Sequence, residues 1–266
     1  MRVGLIGGGF MGEALVSALL KEGVAQAGEV TVSDIAEARR QHLKSSYGIT
    51  VTADNAEAVR GAEVVVLAVK PQEFAAVASQ LRGQLKGGQT VLSIMAGVRI
   101  ERIVQELGHQ SVVRVMPNTA AFVGQAMSVW LATEAVSREG HEAAARLLRA
   151  LGREVEVRDE KYLDMATAVS GSGPGFVFLF LEALIDAGVH VGLRREQAQE
   201  LAVQTLLGSA VLARETGRHP AELRNMVTSP GGTTAAGLQE LEGAGLRAAV
   251  IAAVEAAYER AKELGS

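Results

Sequence analysis

The chain has 266 residues, of which 48% are hydrophobic, 21% charged and 4% aromatic, and its formal net charge is −4. That length fits one large domain or two modest ones. The apolar content is too high for a disordered chain, and the slight acidic excess argues against a non-specific nucleic-acid binder. Cysteine is absent, which excludes a disulfide framework, thiolate metal sites and a cysteine nucleophile.

In chain order, residues 3–6 read as a strand that runs straight into Gly7-Gly8-Gly9, so no signal peptide is expected and the protein is expected to be cytoplasmic. Residues 12–20 read as a helix, 30–32 as a second strand and 36–45 as a second helix. Residues 64–69 are a continuous apolar run, the pattern of a strand buried on both faces, and 90–94 and 112–115 read the same way. This alternation predicts a parallel sheet covered by helices on both sides. Residues 127–131 and 154–157 read as later strands around a helix at Arg138–Leu151, with their direction left open. From Lys161 onward the pattern is helical and rich in Ala and Leu, broken at 171–174, 192, 217–220, 229–232 and 243–245. Each segment is too hydrophobic for a lone surface helix, which predicts a bundle that buries surface against a second subunit. Residues 175–191 are interrupted by Glu182 and Asp186 and are not expected to span a membrane.

Gly7-Gly8-Gly9-Phe10-Met11-Gly12 satisfies G-x-G-x-x-G between a strand and a helix, with Ser33-Asp34 at the end of the next strand about twenty residues on. Gly7 allows the tight turn, Gly9 lets backbone approach a pyrophosphate, and Gly12 permits close helix–strand packing. The helix start, with Phe10 and Met11 just before it as further candidate cofactor contacts, offers free N–H groups and a positive dipole end. A carboxylate at Asp34 accepts from ribose hydroxyls and repels a 2′-phosphate, which favours NAD(H). Arg39 and Arg40 either hold a phosphate or are simply solvated, so NADPH and NADH both remain open. The expected fold class is therefore α/β: an N-terminal Rossmann-like dinucleotide-binding domain over 1–159, followed by an all-α domain over 160–266.

The candidate chemistry involves no metal, because neither H-x-x-x-H nor a clustered carboxylate pattern occurs. The five histidines (His42, His109, His141, His190, His219) lie outside the motifs and are expected at the surface or at helix ends. Ala68-Val69-Lys70-Pro71-Gln72 leaves the carboxyl end of a strand, where ligands lie in open α/β sheets. Lys70 is either a solvated loop cation or a cofactor contact. Met116-Pro117-Asn118 leaves another strand at the same edge, and Asn118 either bonds the nicotinamide carboxamide or caps the following turn. Ser229-Pro230-Gly231-Gly232-Thr233-Thr234 precedes a helical pattern near Ala235. It reads either as a carboxylate receptor of small residues, hydroxyls and free N–H groups, or as a plain N-cap.

Taken together, residues 6–14, 66–72, 93–97, 113–119, 169–174 and 227–238 resemble pyrroline-5-carboxylate reductase, the last enzyme of proline biosynthesis, and the resemblance covers the whole chain. It implies hydride transfer from NADPH or NADH to the C=N bond of Δ1-pyrroline-5-carboxylate, giving L-proline. It further implies that Ala68, Lys70 and Pro71 line the cofactor groove, with Asn55 on the adenosine side and Met116, Pro117 and Asn118 at the nicotinamide end. Thr234 would donate a hydrogen bond to the ring nitrogen or relay a proton from water, with Thr233 as its rival. Ser229, Gly231 and Gly232 would hold the substrate carboxylate, and the imine carbon would lie near Ser170 and Ser172 at the domain junction. The expected partners are this small molecule and further copies of the chain, as a homodimer of helical domains or an oligomer of dimers; neither nucleic acid nor membrane is expected.

One departure limits the resemblance, and two rival readings stand beside it. Many NADPH-using relatives have Asn or Ser and then Arg after the second strand, where this chain has Asp34-Ile35. A β-hydroxyacid dehydrogenase is the nearest rival, but such enzymes use a lysine on a second-domain helix, and Lys161 and Lys262 are the only lysines beyond residue 160. A non-catalytic dinucleotide sensor is the other rival, and it would not need the Gly231-Gly232-Thr233-Thr234 segment.

Overall fold

The computed structural model describes residues 1–265. The elements are β1 (Val3–Ile6), α1 (Phe10–Lys21), β2 (Val30–Ser33), α2 (Glu37–Tyr47), β3 (Thr50–Thr52), α3 (Asn55–Val59), β4 (Val64–Leu67) and α4 (Phe74–Leu81). They continue with β5 (Thr90–Ser93), α5 (Ile100–Leu107), β6 (Val112–Met116), β7 (Ala126–Ala132), α6 (Arg138–Leu151), β8 (Gly152–Glu156) and α7 (Lys161–Ala166). The helices α8 (Gly173–His190), α9 (Arg195–Thr216), α10 (Pro220–Met226), α11 (Thr233–Gly243) and α12 (Leu246–Leu264) complete the chain.

The eight strands among the described residues form one sheet in the order β3-β2-β1-β4-β5-β6-β7-β8. β1 to β6 run parallel, β7 is antiparallel to β6, and β8 is parallel to β7. The apolar runs behave as their composition requires. In β4, Val64 and Val66 pack on one face with Leu15, Leu19, Leu147 and Leu148, while Val65 and Leu67 pack on the other with Phe74, Leu81 and Ile103. Every β4 residue is fully buried, which is what a strand sandwiched between two helical layers must be. Gly4 belongs to the same logic: a Cβ there would lie 2.3 Å from the Ala58 carbonyl oxygen, so α3 can sit directly on β1.

By compactness the chain divides into two units, one made of Met1–Ser172 with the C-terminal segment from Ala257, the other of Gly173–Ala256. α7 lies with the sheet unit. There Arg114 on β6, itself buried, is bonded to Glu160 and sits 3.8 Å from Asp164. Glu160 also accepts from the Ile100 N–H at 2.8 Å, and Arg99 donates to the Gly265 carbonyl at 2.7 Å. Of the two positions expected for the histidines, surface or helix end, His109 takes the second, and it is buried there. It follows the left-handed Gly108 at the end of α5, is 7% exposed, and its Nε2 donates to the Gln89 carbonyl at 2.8 Å.

The second unit is helical throughout. α8 and α9 cross closely: a Cβ on Gly188 would lie 2.9 Å from the Ala198 Cβ, and Gly192, with φ of 108°, makes the turn between them. Among the described residues, Ala198 and Ala202 are its only buried apolar side chains, whereas Val177, Phe178 and Leu179 are each more than half exposed. One helical run, Lys161–His190, is long and apolar enough by length and composition to cross a membrane, Glu182 and Asp186 notwithstanding.

Candidate functional site

The loop after β1 is built by its glycines. Gly7 has a φ of 100°, and a Cβ on it would lie 2.7 Å from the Ala68 carbonyl oxygen, so no other residue makes this turn without strain. A Cβ on Gly12 would lie 2.1 Å from the Gly7 carbonyl oxygen, which fixes how closely α1 approaches β1. Gly9 differs: nothing lies within 4 Å of where its Cβ would be. It is the N-cap of α1, and no side chain caps that helix. The first-turn N–H groups, Phe10 and Met11 among them, are therefore left to an anion at the positive end of the helix dipole. This open cradle fits a pyrophosphate. Beside it, the half-exposed Phe10 ring stacks on Phe122, with centroids 4.2 Å apart. Phe122 escapes a sequence reading, because no local motif marks it.

At the end of β2, Asp34 Oδ2 accepts from the Gly8 N–H at 2.7 Å and Oδ1 from the Ala36 N–H at 2.8 Å. Arg39 is neither a solvated arginine nor free for a phosphate. Its Nε and Nη2 donate to the Gly8 carbonyl at 2.9 and 2.6 Å, and Nη2 also pairs with Glu13 at 2.6 Å. Arg40 Nη1 is held by the Asp34 and Ile35 carbonyls at 2.7 and 3.0 Å. Glu13 in turn binds His42 and Tyr47. Burial pushes the Glu13 carboxyl up, but hydrogen bonds from Arg39, His42 and Tyr47 outweigh it and hold the group below its ordinary value.

Ser33 and Asn55 meet at the same edge: Ser33 Oγ donates to Asn55 Oδ1 at 2.6 Å, and Asn55 Nδ2 donates to Gln80 at 2.8 Å. Ala68 leaves β4 with its N–H on the Ile6 carbonyl at 2.8 Å. Lys70 is exposed, forms no ion pair among the described residues, and precedes a 3-10 turn at Pro71–Glu73. Asn118 stands at the start of the turn Thr119–Val123, yet its side chain does not cap it. Instead Nδ2 donates to the Ser170 carbonyl at 3.1 Å and Oδ1 accepts from the Met127 N–H at 3.4 Å, so the capping alternative falls. Ser170 lies in a π-helical turn, Thr167–Gly171, closed by the Ser172 N–H on the Thr167 carbonyl at 2.8 Å. A Cβ on Gly171 would come within 2.7 Å of Met116 Cε. Met116, Asn118 and Ser170 are thus brought together with the buried Pro117 between them in sequence. π turns are rare and recur at functional sites.

In the helical unit, Gly231 takes a φ of 68° and the Gly232 N–H closes a turn on the Ser229 carbonyl at 3.0 Å. α11 then starts with Gly232 as its N-cap and no side-chain cap, which removes the plain N-cap alternative for the serine and threonines. A Cβ on Gly232 would fall 2.3 Å from Ser229 Oγ, so the loop requires glycine there. Thr233 and Thr234 are the first two helical residues, the former exposed and the latter half-buried, and neither hydroxyl has a partner among the described residues. No group of three His, Asp or Glu side chains is placed to hold a metal ion among the described residues.

A pyrophosphate cradle at the carboxyl edge of a mainly parallel Rossmann-type sheet, in a chain that continues as helices alone, is the design of a dinucleotide-dependent oxidoreductase. Residues 160–264 match the family model described as pyrroline-5-carboxylate reductase dimerisation, and residues 2–97 the one described as NADP oxidoreductase, coenzyme F420-dependent. The chain belongs to the pyrroline-5-carboxylate reductase family. It is 44% identical to the pyrroline-5-carboxylate reductase of a Synechocystis species, over 100% of this chain and 98% of that relative. Among solved structures it is similar to a pyrroline-5-carboxylate reductase from Coxiella burnetii, at 36% identity and a TM-score of 0.93, covering 100% of this chain and 98% of the other. It is also similar to the Plasmodium falciparum pyrroline carboxylate reductase solved with NADP bound, at 31% identity and a TM-score of 0.90, with the same coverage.

Proposed function

We infer that this chain reduces Δ1-pyrroline-5-carboxylate to L-proline with NADPH or NADH, and the full-length relationship to enzymes of that name carries the reading. When bound, the reduced nicotinamide supplies a hydride to the imine carbon. The work of the chain is to bind, orient and balance charge. The uncapped first turn of α1 holds the pyrophosphate, and Ser33, Asp34 and Asn55 hold the adenosine side. Ala68, Lys70 and Pro71 line the groove, and the unused Nδ2 hydrogen of Asn118 serves the carboxamide next to Met116 and Pro117. The open start of α11, with Ser229, Gly231 and Gly232, receives the substrate carboxylate through backbone N–H groups. Thr234 Oγ donates to the ring nitrogen as hydride addition to carbon turns the C=N double bond into a C–N single bond, and the nitrogen takes a proton from water through that hydroxyl. Thr233, one residue earlier and exposed, is the rival donor. Ser170 and Ser172 shape the substrate side of the π turn.

In this reading residues 1–159 form the nucleotide-binding domain and 160–266 the substrate-binding and dimerisation domain. A second copy of the chain covers α8 and α9 as a homodimer or an oligomer of dimers, which accounts for an apolar helix that lacks a core of its own. A cytoplasmic location fits such a biosynthetic role. The test is oxidation of NADH and NADPH with Δ1-pyrroline-5-carboxylate as acceptor: turnover with either cofactor supports the reaction, and no turnover with both overturns it.

A further inference from the structure

We propose that this chain selects NADH over NADPH, and that Asp34 is the residue that decides it. The inference rests on the dinucleotide reading above and deepens it. The observation is how the donors and cations at the end of β2 are spent. A 2′-phosphate is a doubly charged group that can only accept hydrogen bonds, so it needs free N–H donors and unpaired cations. Here the Gly8 and Ala36 N–H groups, which flank the end of β2, both point into the Asp34 carboxylate. Arg39 is engaged by the Gly8 carbonyl and neutralised by Glu13, a carboxylate further fixed by His42 and Tyr47. Arg40 is turned onto the Asp34 and Ile35 carbonyls. Ile35 at 89% exposure contributes no donor side chain.

What this edge offers is an acceptor. An ionised carboxylate has about four lone-pair sites, and Asp34 uses two of them on the backbone. The remainder suit a ribose diol, which brings two O–H donors, and repel a phosphate, which brings charge of the same sign and no donor. The local backbone reinforces the choice, because the two N–H bonds hold the Asp34 carboxylate in place rather than leaving it free to rotate away. Moving Arg39 onto a phosphate would strand Glu13 in a partly buried site.

The test is isothermal titration of the full chain with NADH and with NADPH, without substrate, and competition by 5′-AMP and 2′,5′-ADP. We expect NADH to bind at least about tenfold more tightly, as like charges within a few ångströms require, and 5′-AMP to compete better than 2′,5′-ADP. Equal or tighter binding of NADPH overturns the proposal. Failure of both dinucleotides to bind overturns the underlying dinucleotide reading as well, which separates the two failures. Asp34→Ser should narrow or invert the ratio by about tenfold, with a melting curve to show that the variant is folded. Because that change also removes a backbone tie, Arg40→Ala serves as the second variant. It should leave the wild-type ratio unchanged, and a selective loss of NADPH affinity there would make Arg40 a phosphate contact and sink the assignment of Asp34.

Discussion

A methyl group added at Gly12 would collide with the Gly7 carbonyl oxygen at 2.1 Å, whereas one added at Gly9 would meet nothing within 4 Å. Gly12→Ala should therefore cost about 2–3 kcal/mol by overpacking the helix–strand contact. Gly9→Ala should cost about 1 kcal/mol or less, as a poorer N-cap, yet weaken dinucleotide binding by filling the cradle. Urea unfolding beside an NADH titration distinguishes the two effects. The same reasoning applies to Thr234, whose hydroxyl has no partner among the described residues. Thr234→Ala should leave the melting temperature unchanged while lowering kcat by roughly tenfold to a thousandfold, and Thr233→Ala should do less. The reverse ranking would move the proton-donating role by one residue. The glycines and threonines are legible in sequence because their work depends on immediate chain neighbours. Phe122 against Phe10 is not legible, nor is Glu13 against Arg39, His42 and Tyr47, because these pairs form only when distant segments fold together.

That cluster joins α1 to α2 and gives the pair a pH dependence. The folded-state value of Glu13 lies below its ordinary 4.5, so its contribution to stability is complete above that pH and is lost as pH falls through the depressed value. Urea unfolding of wild type and Glu13→Gln should show a stability gap near neutral pH that closes below about pH 4.5. A gap independent of pH would mean the glutamate acts by packing alone. Elsewhere in the sheet, Arg114 is buried between β6 and α7 with Glu160 and Asp164 as partners. Arg114→Met leaves two carboxylates with less compensation and should cost about 3 kcal/mol. Among the elements, β4 announces itself as an unbroken apolar run, and α6 shows its stripe over the expected span. β3 does not: Thr50, Val51 and Thr52 form a three-residue strand at the sheet edge with no buried side chain, so no pattern was imposed on them. Nor does periodicity show that β7 reverses direction, since burial on two faces looks the same for a parallel and an antiparallel neighbour.

The whole molecule poses a question that one copy of the chain does not answer alone. α8 carries Phe176, Val177, Phe178, Leu179 and Phe180, all exposed, and its unit buries little besides Ala198 and Ala202. An exposed apolar face of that extent requires a cover. Sedimentation should find the wild type as a dimer or larger, and Phe178→Glu or Leu179→Glu should shift it toward monomer with loss of turnover. A monomeric wild type would refute the proposed assembly.

The amino-acid sequence by itself determined the central strands with the first two helices and α6, the glycine loop with its acidic partner, the change from α/β to all-α, and the family. Each of these is written in residues close together along the chain, as hydrophobic period, backbone permission or a contiguous motif. Only the tertiary structure decided that Arg39 and Arg40 are already engaged, that Asn118 holds the π turn instead of capping its own, and that His109 is buried. Those outcomes depend on which donor finds which acceptor across the sheet edge, and a side chain's partner is set by three-dimensional proximity that spacing along the chain does not encode.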